Sequence, residues 1–274
     1  MTINCCVFDL DGTLLDTQSN LSQENISAVA KLHDKGIKII LATGRSDLLI
    51  KDITEVLNVR NPVISSNGGL IRNATTGEIL FSQTIDPETA KKTAEYLLQK
   101  KYNTLVYTPN CIYYFDYYRQ IDPFQHFSAE FRSIRTVSLK AVQTIEDLPL
   151  EQVNKFLLYG IDPVIAKKVQ LELSPVGNLT LIQSMSEVLD IMTEGISKGK
   201  ALLFLSKMLG FDLSQTAVIG DNYNDLSMLN IVGYPLTVMN AATEVKKIAK
   251  FIAPSNDESG VAFAIDNYIL EGNC

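Results

Sequence analysis

CVFDLDGTLLD, residues 6–16, begins as a buried strand and ends in carboxylates. Cys6, Val7 and Phe8 run apolar without alternation, the pattern of a strand covered on both faces. Asp9 and Asp11 then stand two apart, directly ahead of Gly12 and Thr13. Two carboxylates so close repel each other unless a cation offsets them. An all-oxygen site with few protein ligands suits Mg2+, so the pair reads as a place to hold a metal and do chemistry. Taken alone, aspartates that cap a helix or close a turn would explain the same spacing equally well.

The surrounding pattern narrows the choice. The N-terminal third alternates strands (INCCVFDL, IKIILATGR, PVISSNGG) with helices, one capped by Ser22 and ended by Gly36, another over 46–57. Near-continuous apolar strands separated by helices predict a parallel sheet covered on both faces. From Leu70 the texture changes. LIRNATTGEILFSQTI predicts a hairpin turning around Ala74 to Gly77, and helices starting at Pro87 and Pro163 then mix with the strands VNKFLLYGI, NLTLIQS and EVLDIMT. After Thr193 the strand-helix rhythm returns, with SKGKALLFLSKMLG, the strand TAVIG, a helix from Asn224 and the segment DESGVAFAIDNYIL. The expected fold is α/β: a doubly wound, Rossmann-like parallel-sheet core (1–83 and 189–274) interrupted by an inserted α+β domain (84–188).

Composition bounds the function. The chain has 274 residues, 46% of them hydrophobic, enough to bury a large core. A net charge of −7 without Lys/Arg clusters argues against a nucleic-acid or anionic-membrane surface, which needs a basic footprint. A small-molecule partner is expected instead. No apolar run approaches the ~20 residues of a membrane span, and INCCVFDLDG lacks a signal-peptide pattern, so the expected location is cytoplasmic. The oligomeric state stays open, a monomer or a weak dimer. Cys5, Cys6, Cys111 and Cys274 have no zinc-ligand spacing and read as reduced thiols.

In open parallel sheets, ligands bind at the carboxyl ends of the strands. Four strands here end in a chemical group: Asp9 and Asp11, Thr43-Gly44-Arg45, Asn67-Gly68-Gly69, and Gly220-Asp221. These are expected to converge. Lys198 falls in the first turn of its predicted helix, where the macrodipole disfavours a cation by some tenths of a kcal/mol, so something anionic should lie near it. A lysine and a helix N-terminus aimed at one spot make a phosphate site, with Thr43 and the Gly44 amide as neutral donors. Lys200, facing away, reads as a solvated surface residue. Asn224 and Asp225 also have a plain reading as helix caps.

Together, DLDGT, ATGR, SKGKAL and GDNYND, in that order, resemble the haloacid dehalogenase superfamily of phosphatases. About thirty residues between the first two motifs leave no room for a cap, whereas about 150 separate the second from the third. That spacing, with SSNGG and SNDESGVA, is similar to the Cof-type sugar-phosphatase branch. One departure stands out: Met239 precedes Asn240 where the family usually has glycine.

The resemblance implies a set of roles. Asp9 would be the nucleophile that forms an aspartyl-phosphate, and Asp11 the acid and base. Mg2+ would be held by Asp9, the Asp11 carbonyl and Asp221, supported by Asp225. The Leu10 amide, Thr43, Gly44, Lys198 and Asn224 would hold the phosphoryl oxygens. Arg45 reads as a helix-start residue or as a salt bridge between motifs, structural rather than catalytic. The insert would cover the site and choose the leaving group, with Asn67, Tyr114, Asp116 and Tyr118 as candidate specificity residues; strand alternation puts Tyr113, Phe115 and Tyr117 on the opposite face, as core. Two other functions share parts of this pattern. A sugar phosphomutase uses the same core and cap placement, and a receiver-like phosphoacceptor combines acids, a Thr/Ser and a Lys, although with its acids distributed over different strands.

Overall fold

A computed structural model describes residues 3–115, 139–185 and 187–271. They fall into two compact units, Met1–Leu80 with Ser197–Cys274, and Phe81–Ile196.

The first unit opens with β1 (Cys5–Phe8), α1 (Gln23–Asp34), β2 (Lys38–Leu41), α2 (Lys51–Val56), β3 (Val63–Ser65), β4 (Leu70–Arg72) and β5 (Ile79–Ser82), in which the boundary between units falls. The second unit contains α3 (Pro87–Lys100), β6 (Thr104–Tyr107), β7 (Ile112–Phe115), β8 (Leu139–Val142), β9 (Lys155–Tyr159), α4 (Pro163–Leu173), β10 (Leu179–Met185) and β11 (Val188–Thr193). The first unit then resumes with α5 (Lys198–Leu209), β12 (Thr216–Ile219), α6 (Leu226–Leu229), β13 (Tyr234–Val238), α7 (Thr243–Ile248), β14 (Phe251–Ala253) and α8 (Gly260–Ala264).

The core sheet runs β14-β13-β12-β1-β2, and every pairing in it is parallel. β1 and β12 lie side by side at its centre and are buried along their whole length, which is why neither alternates in polarity. α1 packs on α8, and α5 on α6. The helix starts follow local chemistry. Ser22 accepts the Asn25 amide, and Ser197 accepts that of Lys200.

Three expectations change in the structure. PVISSNGG is not a full strand of the parallel sheet: β3 joins β2 through the single Ala42–Ile64 bridge and belongs to a small β3-β4-β5 sheet. The helix over 46–57 is broken into a 3-10 turn, Asp47–Leu49, and the short α2, because Asp47 is drawn inward to Arg72 and Ser65. The helix from Asn224 likewise begins as a 3-10 turn, Tyr223–Asp225, before α6.

The second unit is a six-stranded sheet, β10-β11-β9-β6-β7-β8, with α3 and α4 on one face. β11 pairs with both β9 and β10, so residues 189–196 cluster with this unit and not with the core. Val106, Phe115, Phe156, Leu158, Leu189 and Ile191 point into the helix-covered core, with Tyr113 packed against it. Tyr114 therefore lies on the other face. Asp116 and Tyr118, like Tyr117 and Arg119, lie outside the described residues.

Candidate active site

The loop after β1 carries the first motif. Its backbone turns back on itself, the Leu10 carbonyl accepting the amides of Thr13 (3.2 Å) and Leu15 (2.9 Å). Gly12 makes this possible in two ways. Its φ is +77°, and a Cβ there would stand 2.5 Å from Asp221 Oδ2. Asp221, at the end of β12, is thereby brought against the loop, where Thr13 Oγ1 donates to its Oδ1 at 2.8 Å. Leu10 is fully buried.

Asp9 is 4% exposed and sits among charges. Lys198, the first residue of α5 and fully buried, donates through Nζ to Asp9 Oδ1 (2.6 Å) and Asp225 Oδ1 (2.7 Å). Asp225 Oδ2 meanwhile accepts the amides of Asp221 (2.9 Å) and Asn222 (3.1 Å). Both oxygens of Asp225 are thus engaged in orienting the loop and the lysine. Oxygens of Asp9, Asp221 and Asp225 lie within 4.8 Å of one another.

Three carboxylates and one ammonium leave an excess of negative charge. Burial first, then Asp225, pushes the Asp9 carboxyl well above its ordinary range; Lys198 opposes this, and Asp221 and Asp11 add to it. Asp221 is pushed up to about 7, again by burial and Asp225, with the Thr13 hydrogen bond and Lys198 opposing. Burial works against the Lys198 ammonium, but Asp225 and Asp9 outweigh it and hold its pKa above the ordinary lysine value. Without a further cation the cluster therefore retains protons. A divalent ion with hard oxygen ligands fits this donor set, because it would displace those protons and balance the charge.

The ATGR motif lies beside this cluster. Thr43 is fully buried and backbone-paired in both directions, its amide donating to the Ile64 carbonyl (2.9 Å) and its carbonyl accepting the Asn67 amide (3.0 Å). Its Oγ1 accepts the Arg45 amide (3.0 Å), which leaves the hydroxyl proton to donate. Arg45, 6% exposed, turns its guanidinium onto Asp11. Of the two readings open for Arg45, a helix start or a salt bridge between motifs, the structure shows the salt bridge, made to the second aspartate of the first motif.

The SSNGG loop joins the other motifs together. Ser66, Asn67 and Gly68 all have positive φ (49°, 54° and 100°). A Cβ on Gly68 would stand 2.4 Å from the Ser197 carbonyl, so the loop packs backbone to backbone against the start of α5. Asn67 is 1% exposed, and its Oδ1 accepts from Asn224 Nδ2 at 3.0 Å, beside Gly44. Asn67 is thus packed between motifs of the core.

Two residues given no role by the sequence brace the first loop. Asn240 Nδ2 donates to the Gly12 carbonyl (2.7 Å), while its Oδ1 accepts the Asn256 amide (3.0 Å); Asn256 Nδ2 in turn reaches the Leu15 carbonyl (2.9 Å). The signal was present in MNA and SND, whose asparagines follow core strands. Met239, the departure from the family pattern, is 56% exposed and is not among the positive-φ residues, so the loop accommodates a side chain where glycine is usual.

A family model for haloacid dehalogenase-like hydrolases matches residues 6–265. The chain belongs to that family. It is 30% identical to the 5-amino-6-(5-phospho-D-ribitylamino)uracil phosphatase YwtE of Bacillus subtilis, covering 97% of this chain and 98% of that one. A haloacid dehalogenase-like hydrolase from Bacteroides thetaiotaomicron superposes with a TM-score of 0.84 at 27% identity, over 97% and 99% of the two chains. The subclass IIB sugar phosphatase BT4131 superposes with a TM-score of 0.81 at 21% identity, over 97% and 98%, a likeness of fold alone. The hydrolase is a phosphoric monoester phosphatase with an α/β core and an inserted cap domain. The described residues include no helix long and apolar enough to cross a membrane.

Proposed function

We propose that the hydrolase removes phosphate from small phosphorylated metabolites, sugar phosphates foremost, in a Mg2+-dependent reaction through an aspartyl-phosphate on Asp9. The observation that carries this reading is the Asp9 carboxylate, buried 2.6 Å from Lys198 with the oxygens of Asp221 and Asp225 around it. Asp9, the Asp11 carbonyl and Asp221 would hold the ion; Asp225, with both oxygens engaged, would orient Lys198 and the loop. When bound, Mg2+ would neutralise charge on the phosphoryl oxygens.

The residues then divide the work. Asp9 attacks phosphorus, and the ester oxygen departs with a proton from Asp11. Water next attacks the phosphorus of the aspartyl-phosphate and gives its proton to Asp11. Lys198, the Thr43 hydroxyl, Asn224 and the amides of Leu10 and Gly44 hold the phosphoryl oxygens, which is where most of the catalysis of phosphoryl transfer arises.

The substrate class is supported by the B. subtilis relative, whose name specifies a phosphoribitylamino compound. We assign leaving-group selection to the inserted unit, including Tyr114 on the sheet face away from the helices. Tyr114 neighbours Tyr159, whose phenol burial and that neighbour push up to about 12.

Phosphate release from hexose phosphates, pentose phosphates and nitrophenyl phosphate tests the reading. It should require Mg2+, cease in EDTA and fall below a few per cent of wild type in Asp9→Asn, because an amide of the same volume cannot attack phosphorus. Full activity in excess chelator, or an active Asp9→Asn, overturns it. A hexose 1-phosphate converted to an isomer without free phosphate would identify a phosphomutase instead.

A further inference from the structure

Among the described residues, Arg45 bonds Asp11, the proposed acid, outside the acidic cluster. Its Nε lies 2.9 Å from Asp11 Oδ2 and 3.1 Å from Oδ1, and its Nη2 makes a short contact to Oδ1. The side chains are 7% and 20% exposed. This is a planar fork on a carboxylate, a geometry that fixes direction as well as distance.

The fork itself is held from behind. Arg45 donates its amide to Thr43 Oγ1, and its carbonyl accepts the Ser66 amide at 2.9 Å, so its backbone is fixed between two site loops. Nη2 also donates to Ser19 Oγ at 3.2 Å. Ser19 has a φ of +60°, unusual for a residue with a Cβ. Asp16 maintains that conformation: its Oδ1 accepts the amides of Gln18 (2.9 Å) and Asn20 (2.8 Å), and its carbonyl accepts that of Ser19 (2.9 Å). A backbone conformation that costs on the order of 1 kcal/mol is thus maintained where it delivers a hydroxyl to the guanidinium.

The consequence is a separation of the two aspartates. Asp9 faces Lys198 within the acidic cluster, whereas Asp11 is absent from that cluster and faces Arg45. Without Arg45, the Asp11 carboxylate would be free to rotate towards Lys198 or a bound cation, where it could not serve the leaving oxygen.

We infer that Arg45, steadied by Ser19, is a positioning residue for the leaving-group step: it holds the Asp11 carboxyl in the orientation from which a proton passes to the ester oxygen. The inference rests on the acid role proposed for Asp11. Arg45 is not required for attack at phosphorus, so its effect should depend on how much the leaving group needs a proton.

Wild type, Arg45→Ala, Arg45→Lys, Ser19→Ala, Asp11→Asn and the Arg45→Ala/Asp11→Asn double variant would be assayed on nitrophenyl, phenyl and alkyl phosphates. For Arg45→Ala we expect kcat to fall roughly 100-fold on the alkyl ester and less than about 3-fold on the nitrophenyl ester, with KM little changed. Arg45→Lys should recover part of the loss, since one ammonium cannot form the fork, and Ser19→Ala should show a weaker version of the same leaving-group dependence. On phenyl phosphate, Arg45→Ala should cost almost nothing further once Asp11 is Asn. Equal losses on all three esters, or the same loss with and without Asp11, would overturn the positioning role while leaving the acid role intact. If Asp11→Asn itself shows no leaving-group dependence, the acid role fails and the inference falls with it. Melting temperatures identify a variant that has lost its fold, in which case Arg45→Lys and Ser19→Ala decide by the same criteria.

Discussion

Asp9 and Asp11 are two residues apart, yet each has its own cation: Lys198 from α5 for the first, Arg45 from the loop after β2 for the second. Each carboxylate thus has a partner of opposite charge, although burial and the neighbouring carboxylates still push Asp9 well above its ordinary range. Lys198, proposed to hold a phosphoryl oxygen, also bonds two carboxylates of the chain itself, so its removal should affect stability as well as turnover. Lys198→Ala leaves buried carboxylates without their cation and should cost about 3–5 kcal/mol in metal-free chemical denaturation, together with a large loss of kcat. Lys200, exposed on the same helix turn, should be nearly silent as alanine in both measurements. The reverse pattern would assign the charge balance to the wrong lysine.

At the scale of elements, strand ends and loops are set by contacts that lie far apart in sequence. The SSNGG loop keeps three successive left-handed residues because β3, the Thr43–Arg45 loop and α5 all determine its path. In the inserted unit, the sheet itself contains a charge pair. Lys155 on β9 and Asp190 on β11 are 0% and 1% exposed and 2.8 Å apart, and the ammonium stands 4.6 Å from the centre of the Tyr107 ring. Such a pair adds little net stability when intact but is costly to break. Asp190→Ala should therefore destabilise the protein by about 3–5 kcal/mol in urea, whereas the Lys155→Met/Asp190→Leu pair should come within about 1 kcal/mol of wild type. A double variant as unstable as the single one would show that the two charges do not act as a pair.

For the whole molecule, the acidic cluster links stability to pH and to metal. Asp221 is raised from its ordinary 3.8 to about 7, and Asp9 is raised as well, so the metal-free native state holds protons that the unfolded chain would release. A raised carboxyl contributes stability that is full below its unfolded pKa and is lost as pH rises through the folded value. In EDTA, the melting temperature should accordingly fall between about pH 5 and about pH 8, and Asp221→Asn should flatten that slope. Mg2+ should restore stability most at the upper end, where no proton has to leave. A metal-free profile that is level or rises over this interval would contradict the charge balance described for the site.

The strand-helix rhythm, the presence of an inserted domain and the motif set were legible in sequence because each rests on local pattern: apolar runs, caps, glycine turns and the order of short motifs along one chain. The convergence of the ends of β1, β2 and β12 was legible too, since a parallel sheet brings the carboxyl ends of its strands together, whereas the SSNGG loop arrives from the separate β3-β4-β5 sheet. What sequence could not decide was which charge meets which. Asp9 is paired across 189 residues and Asp11 across 34, and nothing local to DLDGT distinguishes a lysine partner from an arginine partner. The break in the helix after Arg45, the placement of β3 outside the parallel sheet, and the packing of Asn67 between core motifs were likewise set by tertiary contacts, among them Asp47 with Arg72 and Asn224 with Asn67. The sequence by itself determined the chemical groups and the sheet that gathers them. Only the tertiary structure assigned each carboxylate its cation, because electrostatic pairing depends on distance and burial in space and not on separation along the chain.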